Sequence, residues 1–226
     1  KVYGIARGLS IGGYAEGYYR RSESGVDDEA DMTRVVAYLG YKFNDWIVFN
    51  TEIEFEHDST SENGSVSVEF ATLDFLLMPE LNVRAGEVLI PMGFVNEFHE
   101  PPFYYSTFRP TAERVIIPST WRENGLGIFG NLGERLSYRL YAVNGMVASD
   151  FRSSGLRSGR QNGSEAIAND LALVGRLDLD VFEGMRIGSS FYSGNSGQDQ
   201  DIEIGGSDVS LPDARTTIWE VHGEFG

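Results

Sequence analysis

The sequence predicts an all-β fold, a transmembrane antiparallel β-barrel of about ten strands, and three observations lead there. Apolar residues recur at every second position through most of the chain, the period of a strand with one greasy face. The connections alternate between tight turns, such as Asn44-Asp45 and Pro79-Glu80, and long polar excursions, such as Ser22 to Ala30 and Ile90 to Trp121. Barrels of the bacterial outer membrane have that asymmetry, with short turns at one rim and longer loops at the other. No run approaches the roughly 18 consecutive apolar residues of a membrane helix, whereas a membrane strand needs only about 9–11 residues with one apolar face.

The elements follow in order. Leu9 to Arg20 sets Leu9, Ile11, Gly13, Ala15, Gly17 and Tyr19 on one face, with Ser10, Tyr14, Glu16, Tyr18 and Arg20 on the other. After an acidic loop, Thr33 to Phe43 repeats the pattern, with Arg34, Tyr38 and Lys42 on the polar side. The run from Ile47 to Glu56 is the clearest, because Ile47, Phe49, Ile53 and Phe55 alternate with Asn50, Glu52, Glu54 and Glu56. A basic side chain facing lipid at mid-membrane costs about 2–4 kcal/mol and an acid somewhat less, so this row of glutamates must face water. Beyond the polar loop Asp58 to Gly64, Val66, Val68 and Phe70 are followed by a phase slip before Leu73, Phe75 and Leu77, which predicts a bulge. Pro79-Glu80 turns into Leu81, Val83 and Ala85, opposed by Asn82, Arg84 and Gly86.

The longest interruption then spans 90–121. Loops of this length are functional or disordered, and Phe94, Phe98, Phe103, Tyr104, Tyr105 and Phe108 predict order, since so much aromatic surface is rarely left in water. Strands resume at Glu123 to Gly130, Leu136 to Asn144, Leu171 to Leu179, Met185 to Ser193 and Arg215 to Phe225. Turns at Gly133 and Glu183-Gly184 alternate with loops over Gly145 to Ala168 and Gly194 to Asp213. Residues 1–226 thus read as a single β-barrel domain. Tyr18, Tyr19, Tyr41, Phe43, Trp46, Phe55, Phe129, Phe191, Tyr192 and Trp219 gather near strand ends, as an aromatic girdle at headgroup depth would.

Composition narrows the chemistry. The chain has 34 acidic residues against 18 basic ones, a formal charge of -16, so nucleic acid is not an expected partner. It has no cysteine and three histidines, His57, His99 and His222, far apart in sequence, which leaves little material for a zinc site. The acidic stretches 25–31 and 194–208 lack the EF-hand spacing and read as solvated loops. No serine elbow or phosphate-binding glycine loop is present, so neither catalysis nor any cofactor or metal is expected. The alternative is an enzyme barrel that uses an acid and a histidine.

The segments VRAGEVLIPMGFVNEFHEPP at 83–102 and RVIIPSTWRENGLGIFG at 114–130 resemble bacterial outer-membrane porins related to the phosphate-selective porin family. GLSIGGYAEGYYR and GYKFNDWIVFNTEIEFEH resemble the first hairpins of the same group. The resemblance implies a trimeric porin of about sixteen strands whose third loop, here 90–121, folds inward to narrow the pore. The chain departs from it in two ways. Lysine occurs only at Lys1 and Lys42, so phosphate selectivity is not carried over. The chain also stops at Glu224-Phe225-Gly226 in mid-pattern, which leads us to expect the first part of a longer porin.

If the apolar faces meet lipid, the opposite faces enclose water. Arg34, Arg84, Arg139, Arg176 and Arg186 then stand inward beside Glu16, Glu52, Glu69, Asp178, Glu220 and Glu224. Walls of mixed sign order polar solutes by dipole rather than selecting one charge. Within the long loop, Glu97, His99, Glu100, Arg109, Glu113 and Arg114 are the constriction candidates. The expectation is a channel for passive diffusion of small hydrophilic solutes or ions in the outer membrane of a Gram-negative bacterium. Its expected partners are membrane lipid, lipopolysaccharide and copies of itself or an envelope complex. The alternatives are a barrel that anchors an envelope assembly and a soluble β-sandwich binding module, since a sandwich also alternates apolar and polar residues.

Overall fold

In the computed structural model, residues 2–23, 25–57, 64–100, 103, 109–118, 120–211 and 214–226 are described. Tyr104, Tyr105 and Phe108 of the aromatic loop, and most of the polar loop 58–64, lie outside them. The chain forms two compact units, Lys1–Phe75 and Leu76–Gly226.

The first unit is an antiparallel meander of β1 (Gly8–Arg20), β2 (Glu29–Lys42), β3 (Ile47–Glu56) and β4 (Val66–Met78), whose last three residues belong to the second unit. β2 begins at Glu29, ahead of the expected Thr33, and takes in the end of the acidic loop. Tyr18 Oη and Arg20 Nη2 both reach the Glu29 carboxylate across the β1–β2 pair, which carries the ladder that far. Asn44 Oδ1 accepts from the Trp46 and Ile47 amides and closes the short turn. The expected slip in β4 is a bulge, though it precedes Phe70 instead of following it: Glu52 pairs with Phe70 and Ile53 with Val68, so Glu69 is the additional residue and Phe70 shares register with Glu52.

The second unit is itself a meander of β5 (Leu81–Leu89), β6 (Arg122–Leu132), β7 (Leu136–Asn144), β8 (Leu171–Phe182), β9 (Met185–Asn195) and β12 (Arg215–Phe225), each antiparallel to the next. Two features depart from the sequence reading. The loop 194–213 contains a hairpin, β10 (Asp201–Ile204) with β11 (Ser207–Ser210), turned by Gly205-Gly206, both at positive φ as a tight hairpin turn requires. The 90–121 segment contains a short helix, α1 (Thr111–Val115). Among the described residues ten long strands make the chain all-β.

Burial is inverted relative to a water-soluble sheet. Leu9 and Ile11 are 62% and 68% exposed, and Trp219 and Phe225 are 74% and 78% exposed. Leu77, Leu126, Leu171 and Leu177 are exposed as well, while Glu52, Asp74, Glu123 and Asp178 are buried. Each large apolar side chain left in water forgoes about 1.5–3 kcal/mol, so a face carrying a whole row of them needs lipid. The soluble-sandwich reading fails on this point. Of the aromatics expected in a girdle, Tyr19, Tyr41, Phe43, Trp46, Phe55, Phe191 and Trp219 are exposed, while Tyr18 lies on the polar face and bonds Glu29. Tyr192 is fully buried on the opposite face against Trp121, where no headgroup can reach it. Phe129 is also on the polar face, where the Arg84 guanidinium sits 4.8 Å above its ring.

Candidate functional site at the long loop

The polar faces of the two units carry different chemistry. In the first, Arg34 lies between two carboxylates, with Nε 2.9 Å from Glu16 and Nη1 2.9 Å from Glu54. Asp74 accepts from Tyr3 Oη at 2.6 Å. Glu52 and Glu69 are buried on the same side.

In the second unit the described residues of the 90–121 segment lie on part of the polar face. Three kinds of contact hold it. At its neck, the Asn96 side chain accepts from the Trp121 amide at 2.7 Å and donates to the carbonyls of Ile90 and Trp121 at 2.7 and 2.8 Å. One buried amide thereby satisfies backbone groups at both ends of the loop, groups that would be costly to leave unpaired. Glu113 on α1 accepts from the amides of Phe94 and Val95. Arg109 donates to the His99 carbonyl and to Thr120 Oγ1, and Arg160 donates to the carbonyls of Pro118 and Thr120.

The second kind of contact is apolar. Ile90, Met92, Ile117 and Trp121 of the segment join Val88, Tyr141, Val143, Met146, Ala172, Val174 and Tyr192 in a buried cluster. The Trp121 and Tyr192 rings are 4.9 Å apart. Part of the face read as wet is therefore dry, because the loop supplies its own apolar side chains to it. Glycine makes room there: a Cβ on Gly125 would come within 2.6 Å of Val143, and one on Gly127 within 2.4 Å of the Tyr141 ring. Beside the cluster, Glu123 accepts from Trp121 Nε1, Asn144 Nδ2 and the Gln161 amide.

The third kind is ionic. Arg139 reaches Glu97 and Asp178, both at 3.0 Å. Arg176 grips both Asp178 oxygens, Nε at 2.8 Å and Nη2 at 2.9 Å, and donates from Nη1 to the Gly93 carbonyl at 2.6 Å. His222 lies between carboxylates, with Nε2 2.9 Å from Asp178 and Nδ1 2.9 Å from Glu220. The Phe94 ring meets the His222 ring edge-on at 5.8 Å.

Of the residues singled out from sequence, the structure brings Glu97, Arg139 and Arg176 into one network. His99 is buried with Nδ1 on the Asn96 carbonyl, and Glu100 accepts from the Phe103 amide through its carbonyl. Arg109 and Glu113 brace the segment. Arg114 is exposed on α1, and its carbonyl accepts from Arg157. Arg84 stacks on Phe129, Arg186 pairs with Asp180 near the Glu183-Gly184 turn, and Arg34 and Glu52 belong to the first unit. Asn96, Trp121, Glu123, Arg160 and Gln161 were not singled out, because residues in loops and at strand ends follow no period.

No family model matches the chain. An uncharacterized protein of Aquifex aeolicus (strain VF5) is 44% identical over 207 residues, 88% of this chain and 47% of that protein, so the chain spans about half the length of this relative. Among solved structures, the loop L8 deletion mutant of OmpT, an outer membrane protein of Vibrio cholerae, is similar with a TM-score of 0.52 at 12% identity. The match covers 98% of this chain and 66% of that one. With apolar faces exposed, carboxylates buried and this likeness over nearly its whole length, the chain has the fold of an outer-membrane β-barrel protein.

Proposed function

We propose that this chain forms the wall and inward loop of a water-filled channel in the outer membrane of a Gram-negative bacterium. The channel passes small hydrophilic solutes or ions by passive diffusion. The observation that carries the proposal is the 90–121 segment, which packs on the polar face of its own sheet through Glu97, Arg139 and Arg176. A loop fastened to the polar wall restricts what moves along it. The resemblance to porins related to the phosphate-selective family supports the same reading, without phosphate selectivity, because Arg139, Arg176 and Arg186 of this face are met by carboxylates. On that resemblance the working assembly is a trimer surrounded by lipid and lipopolysaccharide. We read the chain as non-catalytic; the enzyme alternative would have to rest on the acid–histidine pairs His222 with Asp178 and Glu220, and His57 with Asp31, since His99 is buried on a backbone carbonyl.

Planar-bilayer recordings of the full polypeptide test this, with stepwise conductance the expected result. Correct insertion with no conductance would overturn it in favour of a plugged barrel that anchors an envelope assembly. The dry cluster under the loop is the observation on that side.

A further inference from the structure

We propose that Arg176 is the positioning residue of the 90–121 segment, setting where the loop stands on the wall rather than lending its charge to passing solutes. The proposal rests on the channel reading above. A guanidinium presents its N–H donors in a rigid fork. Here one edge of that fork takes both oxygens of Asp178, and Nη1 at the other end holds the Gly93 carbonyl, with Glu97 Oε2 at 3.8 Å. Asp178 offsets the cation and is itself shared with Arg139 and His222. A buried cation matched this closely presents little field to a solute, so its leverage is geometric.

The grip falls where the loop has least freedom. Gly93 has φ +74, and a Cβ there would lie 2.4 Å from Glu113 Oε2 and 2.9 Å from Ile117 Cδ1. The two amides after it are held by the Glu113 carboxylate. The turn 93–95 is thus clamped between β8 through Arg176 and α1 through Glu113. Gly93 provides a carbonyl on one side and the absence of a side chain on the other. The second ionic pin, Arg139 Nε on Glu97 Oε1, lies farther along the same segment.

The test uses the full polypeptide refolded into lipid, as wild type, Arg176→Gln and Arg176→Lys. Folding is verified by the heat-dependent gel mobility of barrels. Three quantities are read: single-channel conductance, reversal potential in a salt gradient, and the rate of tryptic cleavage after Arg114 on α1. Arg176→Gln is expected to raise conductance and to speed cleavage about tenfold, because a hydrogen bond to a charged group shifts an opening equilibrium by that order. The reversal potential is read on the charge-neutral pair Arg176→Gln with Asp178→Asn, where it is expected to stay put. Arg176→Lys keeps the charge without the fork and is expected to fall between wild type and Arg176→Gln.

A folded Arg176→Gln protein with unchanged conductance and cleavage would overturn the proposal. So would a shift in reversal potential alone in the charge-neutral pair, the signature of a lining charge. Faster cleavage in the variant together with a silent wild type would leave the positioning role standing and sink the channel reading instead. If Arg176→Gln does not fold, the pair Arg176→Gln with Asp178→Asn removes the ion pair without stranding a carboxylate and is scored by the same criteria, with Arg176→Lys deciding if neither folds.

Discussion

The two units are built from the same kind of strand yet use their polar faces differently. In Lys1–Phe75 that face is predominantly acidic, with Glu16, Glu52, Glu54, Glu69 and Asp74 against Arg34 and Lys42. In Leu76–Gly226 the same kind of face carries a zone of aliphatic and aromatic side chains next to a zone of matched charges, and both zones are occupied by the unit's own long segment. The difference teaches that alternation fixes only which side of a strand meets lipid. The character of the other side is set by the connection that lies on it.

The comparison breaks most sharply at Trp121. Truncating it to alanine is expected to cost about 3–5 kcal/mol, as removal of a fully buried aromatic does, and to loosen the second unit alone. Urea unfolding from lipid vesicles, followed together with cleavage after Arg114, reads both effects. An arginine on the apolar face tests what the units share. Leu177→Arg in the second and Ile53→Arg in the first are each expected to lose about 2–4 kcal/mol near mid-membrane, whereas a face in water would tolerate either. Vesicle-folding titrations give the values, and a neutral result in one unit would take that unit out of the bilayer.

A smaller effect is expected at Glu113→Ala, which leaves the amides of Phe94 and Val95 without their acceptor and costs about 1–3 kcal/mol. Glu113→Gln keeps an acceptor oxygen for the Phe94 amide but sets an NH2 donor against the Val95 amide, and should recover only part of the loss in the same unfolding assay. The smallest lies in the first unit's acidic loop. The Ser22 amide and the Tyr19 hydroxyl hold the Asp28 carboxyl below its ordinary pKa. A carboxylate favoured in the folded state contributes stability above the unfolded value of about 3.9, and that contribution is lost as pH falls through the lower folded value. The Ser22 amide resonance should therefore move below pH of about 4 in the wild type and stay still in Asp28→Asn.

How much of this was legible in the sequence depends on what each residue answers to. Strand identity and facing could be read because they follow a two-residue period: β3 at Ile47–Glu56, β7 at Leu136–Asn144 and β12 at Arg215–Phe225 begin and end where the alternation does. The bulge at Glu69 was visible as a broken phase. The start of β2 was not, because its first pairs are polar and are joined by side chains rather than by an apolar face. The hairpin β10–β11 was hidden because its strands of four residues are too short to show a period. Within the long segment, charged residues drew attention as expected constriction groups, and Glu97 does reach the wall. The buried amide of Asn96, which closes the loop neck, has a role defined only by the backbone at Ile90 and at Trp121, the latter 25 residues away from it in sequence.

The small hairpin offers a practical handle. Its Gly205-Gly206 tip has both φ angles positive and Ser207–Ser210 beyond it is exposed. Its base is tied by the Leu211 amide on the Gln200 carbonyl and by Gln198, whose side chain bonds the backbone of Met146, Asp170 and Asn195. A foreign peptide spliced between the two glycines would hang from a rivet that it does not touch. Whole cells probed with an antibody to such a tag would then report which side of the envelope that rim faces.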